Sequence, residues 1–166
     1  RGKLTDNFNP ATRCVTLSES TYDSASVAAV AVSAHEIGHV AQREEGYLFY
    51  RLRAFLVPVT NIGTMLAFPL VIVGVLLTWL SALAEVGNIV VFLGICLYAL
   101  STVFTLITLP VELNASSRAK SMLAETGVLV TSEEKKAAAK VLSAAAMTYF
   151  AALLTSLLMF LRFLLY

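Results

Sequence analysis

Three long apolar runs divide the chain, and the segments between them are polar. Residues 54–80 carry no charge over 27 positions. Pro58, Asn61 and Gly63 point to an irregular or interfacial start, which leaves Thr64–Leu80 as the expected span. Ile89–Leu109 forms a second uncharged run of 21 residues, closed by Pro110. The third starts at Val141 and continues to the end, with Arg162 as its one charge. Each run meets the roughly 20 apolar residues that a helix needs to cross a bilayer. Arg162 lies near the end of its run, where a long basic side chain can reach the interface. Ser81–Asn88, containing Glu85, is expected as the loop between the first two spans.

The polar segments show other periods. Residues 3–18 read as a β-hairpin, with strands Leu4–Phe8 and Cys14–Leu17 around an Asn9-Pro10-Ala11-Thr12 turn. Residues 24–45 read as a helix capped by Asp23 or Ser24 and stopped by Gly46. Its apolar lead, Ala25–Ala34, is too short to cross a bilayer. Tyr47–Arg53 mixes aromatic and basic residues, as membrane approaches do. Val111–Thr126 returns to polar helix, ending at Gly127. Thr131 and Glu134 form a capping box for a last helix expected to run from Ser132 to Tyr166.

Composition agrees with a membrane protein: 58% apolar, 14% charged and a mean hydropathy of +0.78. Globular domains carry about 25% charged residues. The net charge of +1 and the lack of a basic, aromatic-interleaved patch exclude nucleic acid as a partner. Cys14 and Cys96 lie in unlike segments and are read as unpaired. The chain opens on Arg1 in what reads as a strand, so an upstream segment is expected.

Basic residues set the orientation. Arg43, Arg51 and Arg53 precede the first span, and Arg118, Lys120, Lys135, Lys136 and Lys140 lie between the second and third. The loop between the first two spans has none. The positive-inside rule then puts residues 1–53 and 111–140 in the cytoplasm. The expected fold class is mainly α: a multi-pass membrane protein with a small zincin-like cytoplasmic part. Four segments follow: 1–53 with hairpin and catalytic helix, 54–110 as a two-span hairpin, 111–140 as cytoplasmic helices, and 141–166 as the third span.

Both histidines of the chain fall in His35-Glu36-Ile37-Gly38-His39. This is H-E-x-x-H on an expected helix. Residues four apart share a helical face, so both imidazoles can reach one metal ion. Glu36 projects beside that face and can sit against an attacking water as general base. A catalytic zinc usually takes three protein ligands, leaving one position to solvent. With no histidine left, the third must be a carboxylate. Two spans separate residue 53 from residue 111, so Glu112 returns to the side that holds His35 and His39. Glu85 is on the wrong side. Glu133 and Glu134 belong to a first turn, and Glu44 and Glu45 lie past the metal-facing turn. Glu112 is therefore the expected third ligand of one Zn2+ per chain. Tyr22 or Arg118 could stabilise an oxyanion, and the strand Cys14, Val15, Thr16, Leu17 could pair with an extended peptide substrate.

HEIGHVAQ at 35–42 and LPVELNASSRA at 109–119 resemble the bacterial membrane-bound neutral zinc metallopeptidases of the YugP-like family. GKLTDNFNPATRCVTLSESTYDSAS at 2–26 is similar to the stretch preceding the motif there. The resemblance implies His35, His39 and Glu112 as zinc ligands and Glu36 as catalytic base, with an N-terminal membrane helix and linker ahead of Arg1. The arrangement also looks like that of HtpX-type and CaaX-prenyl-type membrane peptidases, which carry E-x-E-A-D after the second span. Glu112 keeps the first position of that pattern, whereas Asn114 and Ser116 replace the second Glu and the Asp. That Asp orients a ligand histidine there, and Ser116 could substitute only weakly.

The expected activity is therefore that of a zinc metalloendopeptidase in the bacterial cell membrane. Its expected partners are a membrane-associated peptide or protein substrate and the bilayer; an oligomer or a membrane partner protein stays open. Three alternatives compete. An intramembrane site-2 protease would need His35 inside a span. A zinc transporter would need polar ligands in neighbouring spans. A structural zinc clamp would need four protein ligands.

Overall fold

The computed structural model describes residues 5–165. In order, the elements are β1 (Asn7–Asn9), β2 (Cys14–Thr16), α1 (Glu19–Tyr22), α2 (Val27–Glu44), α3 (Leu48–Thr78), α4 (Ala84–Thr126) and α5 (Ser132–Leu164). The fold is mainly α, with one two-stranded sheet. Helices α3, α4 and α5 are each long and apolar enough to cross a membrane.

Local chemistry explains most boundaries. The strands pair antiparallel, Phe8 opposite Val15. Asn9 Oδ1 accepts the backbone N–H of Ala11 at 2.9 Å and of Thr12 at 3.3 Å, closing the expected turn. The strands are shorter than expected, and Lys3 and Leu4 lie outside the described residues. Helix α2 starts later than expected. Ser26, not Asp23 or Ser24, is its cap, accepting from Ala29 N at 3.2 Å. Asp23 instead ends α1, a single turn that the sequence pattern did not reveal. Gly46 stops α2 with φ +68°. Tyr47 N–H reaches Gln42 O at 2.9 Å, and Gly46 N–H reaches Arg43 O at 3.1 Å. Those two bonds and a left-handed residue make a Schellman ending. The capping box on α5 forms as expected: Glu134 N–H donates to Thr131 Oγ1 at 3.1 Å, and Thr131 N–H to Glu134 Oε2 at 2.8 Å. Tyr166, the expected end of that helix, is outside the described residues.

Two expectations about proline are corrected. Helix α3 is continuous from Leu48 through Pro58 and Pro69, and α4 passes through Pro110. The loop expected at Ser81–Asn88 shrinks to a short 3-10 turn, Ser81–Leu83, and Glu85 sits in the first turn of α4. An acidic group there favours the positive helix end. A proline removes one backbone bond, but leaving the helix in an apolar setting would strand several polar groups at once. Continuing is the cheaper course.

The chain forms two compact units. One comprises the chain up to Arg51 together with Leu109–Tyr149. Its core gathers Ala31 and Ala34 of α2, Ala119 and Leu123 of α4, Leu129 from the connecting segment, and Ala138 and Leu142 of α5. Alanines at the contacts let the helix axes approach closely. The other unit comprises Leu52–Thr108 and the chain from Phe150 onward. There a Cβ on Gly74 would stand 2.9 Å from Gly87 O and 2.6 Å from Val91 N, so α3 and the start of α4 meet backbone to backbone. Thr102 and Ser156 hydroxyls hydrogen-bond at 2.8 Å, joining α4 to α5. Large apolar side chains such as Phe55, Met65, Phe68 and Phe92 are exposed, as lipid contact requires.

Candidate metal centre

The site lies within the first unit and is built from α2 and α4. One turn of α2 separates His35 from His39, whose ring centroids are 4.8 Å apart and nearly perpendicular. Gly38, between them, lets α4 approach: a Cβ there would lie 2.6 Å from the carbonyl oxygen of Ala115. That close seam brings Glu112 to the imidazoles. Its Oε2 is 3.1 Å from His35 Nε2 and 3.5 Å from His39 Nε2. The three residues offer ligand atoms within 4.8 Å of one another. Tetrahedral zinc with bonds of about 2.0–2.1 Å gives ligand–ligand edges of about 3.3 Å. The two separations from Glu112 bracket that edge, so this donor set fits zinc in chemistry and in its carboxylate–imidazole spacing.

Burial sharpens the electrostatics. Glu112 is only 1% exposed, and a carboxylate enclosed to that degree needs positive charge nearby. For His39, burial alone would lower the pKa, but the hydrogen bond and charge of Glu112 outweigh it and the net shift is upward. Glu36 is also buried, and burial pushes its carboxyl up against the opposing pull of His39 and His35. The backbone N–H of Phe8 in β1 also faces the Glu36 carboxylate.

Both histidines have a second contact. His35 Nδ1 meets the Ser116 hydroxyl at 3.2 Å. His39 Nδ1 meets Gln42 Oε1 at 2.9 Å. The aromatic ring of Tyr50 packs against His39 with centroids 6.3 Å apart.

A family model described as "Putative neutral zinc metallopeptidase" matches residues 1–166 of the chain. The chain belongs to this family. It is also 45% identical over 163 residues to "Putative membrane protease YugP" of Bacillus subtilis (strain 168), an alignment covering 98% of this chain and 68% of the Bacillus protein. No solved structure matches.

The remaining candidates of this family member fall in different places. Asn114 and Arg118 belong to one bonded chain: Asn114 Oδ1 accepts from Arg118 Nε at 2.8 Å, and Arg118 Nη1 and Nη2 donate to Glu45 at 2.6 and 2.7 Å. The Arg118 guanidinium is thus engaged by a carboxylate and holds that of Glu45 below the ordinary range. A lowered carboxyl pKa means that this link is present at neutral pH and is lost only as pH falls through the lowered value. Tyr22 stands 76% exposed at the end of α1. Cys14, Val15 and Thr16 form β2, with Leu17 just beyond it, but the strand beside α2 is β1. The Arg43 guanidinium lies over the Phe8 ring, 6.0 Å from its centroid. Sequence reasoning missed Gln42 and Tyr50. The Gly46 stop held the only hint of Tyr50, because a tight turn after α2 returns the next helix toward it.

Proposed function

We propose that this member of the family is a membrane-embedded zinc endopeptidase working at the cytoplasmic face of the bacterial membrane. The convergence of His35 and His39 on Glu112, each at zinc-edge spacing from its carboxylate, carries the reading. Among the described residues the trio supplies three protein ligands, the number used where one position is left to solvent and substrate. A zinc ion held there supplies Lewis acidity, which polarises a peptide carbonyl and acidifies water. Glu36 supplies proton transfer. Its buried carboxylate lies on the same helix, beside the trio but outside it. It takes a proton from the attacking water and passes it to the departing amine. An extended substrate reaching Glu36 meets the edge of β1, whose Phe8 N–H already faces that carboxylate. The arginines and lysines flanking the apolar helices support a cytoplasmic site.

Treating the detergent-solubilised chain with a zinc chelator is expected to abolish cleavage of an unfolded polypeptide, and equimolar zinc to restore it. Zinc is expected to restore nothing to Glu112→Ala. Cleavage that survives both chelation and Glu112→Ala would overturn the reading.

A further inference from the structure

Gln42 lies on α2 one turn beyond His39 and is 0% exposed. A fully buried primary amide must satisfy both of its ends. Its Nε2 donates to the backbone carbonyl of Val111 at 2.8 Å and to Asn114 Oδ1 at 2.9 Å. A backbone carbonyl only accepts, so Val111 fixes which way round the amide sits. Oε1 is then left facing His39 Nδ1 at 2.9 Å. An amide oxygen also only accepts, so Nδ1 must carry the hydrogen. A neutral imidazole has one N–H. Its Nε2 therefore presents a lone pair to a metal; only the doubly protonated ring carries an Nε2–H toward Glu112 Oε2, 3.5 Å away.

We infer that Gln42 is the positioning residue of the metal centre: it fixes the tautomer and ring angle of His39 by relaying the Val111 carbonyl. This rests on reading the trio as a zinc site. Val111 directly precedes Glu112, so one turn of α4 both supplies a ligand and orients another on α2. Asn114 carries the relay outward to Arg118 and Glu45, the residue that caps the end of α2. His35 is held differently. The Ser116 hydroxyl can donate or accept, so its 3.2 Å contact leaves the His35 tautomer unset. His39 is the anchored ligand and His35 the adaptable one.

Two variants separate positioning from packing. Gln42→Met keeps the length of the side chain and loses every hydrogen bond. Gln42→Glu, protonated as a carboxyl buried against two acceptor oxygens must be, keeps an oxygen that accepts from Nδ1–H and an O–H that donates to the Val111 carbonyl. Zinc affinity is measured by chelator competition on the detergent-solubilised chain. Histidine tautomers are read from nitrogen NMR of the zinc-free chain, at a pH where the imidazoles are neutral. With only two histidines in the sequence, selective labelling resolves both. The expected wild-type state of His39 is Nδ1–H. Gln42→Met should mix the tautomers and weaken zinc binding by about 10–100-fold, the usual cost of losing such support. Gln42→Glu should keep Nδ1–H and bind zinc within a few-fold of wild type. Equal weakening in both variants, in step with lost thermal stability, would reduce Gln42 to packing and overturn the inference. An Nε2–H wild-type His39 would also overturn it. A wild-type chain that binds no zinc would instead sink the underlying metal reading.

Discussion

Glu36→Gln is expected to lower peptide hydrolysis by about 10²–10⁴-fold, the usual worth of a positioned general base, while zinc binding stays close to wild type. The amide has the shape of the carboxylate but cannot accept the proton. Glu36 lies outside the ligand trio, so the two readouts should separate. Stability gives a third. Burial raises the Glu36 pKa above its ordinary value. A raised carboxyl pKa means stability that is full below the unfolded-state value and is lost as pH rises through the folded one. Ionised Glu36 thus costs the metal-free chain stability at neutral pH, and the glutamine does not. Thermal unfolding of the metal-free variant should occur at or above the wild-type temperature. A variant that loses zinc along with activity would place Glu36 among the ligands instead.

The second large effect is expected at Gly38. A methyl group there meets the Ala115 carbonyl oxygen at 2.6 Å, and that atom belongs to a helix backbone that cannot swing aside. Overpacking of this kind costs about 1–3 kcal/mol. For a chain of this size that is roughly 2–12 °C in the unfolding temperature. Gly38→Ala should therefore unfold earlier and bind zinc more weakly, because separating α2 from α4 carries Glu112 away from the histidines. Gly46 is the control. Its φ of +68° needs a left-handed residue, but nothing lies within 4 Å of its added Cβ. Asparagine tolerates that backbone, so Gly46→Asn should shift unfolding much less. Equal shifts in thermal scans of the two variants would contradict a close seam at Gly38.

Which of these features could be read from the residues alone follows from how local their causes are. The Schellman stop at Gly46 and the box between Thr131 and Glu134 are settled within a few residues, and the sequence pattern anticipates both. The spacing of His35 and His39 likewise needs only the helix period. Glu112 is 77 residues from His35; two apolar runs between them led the sequence reading to expect both on one side, and the structure brings the two side chains to 3.1 Å. The irregular start expected around Pro58 and the close expected at Pro110 give way to continuous helix because the stopping rule assumes that water can take the freed carbonyls. Gln42 could not be singled out at all. Its key partner is a backbone carbonyl 69 residues away, and every residue has a carbonyl, so no residue type betrays the pair. Ser116, read from the sequence as only a weak substitute for an orienting Asp, makes the less directional of the two contacts, to His35.

Zinc-edge X-ray absorption on the purified full chain, with metal content measured on the same samples, tests the central claim most directly. The expected result is one zinc per chain, with two imidazole nitrogens, oxygen in the remaining positions and no sulfur, and loss of the metal in His39→Ala and Glu112→Ala. A purified chain without zinc, or zinc that stays bound when Glu112 is removed, would contradict it.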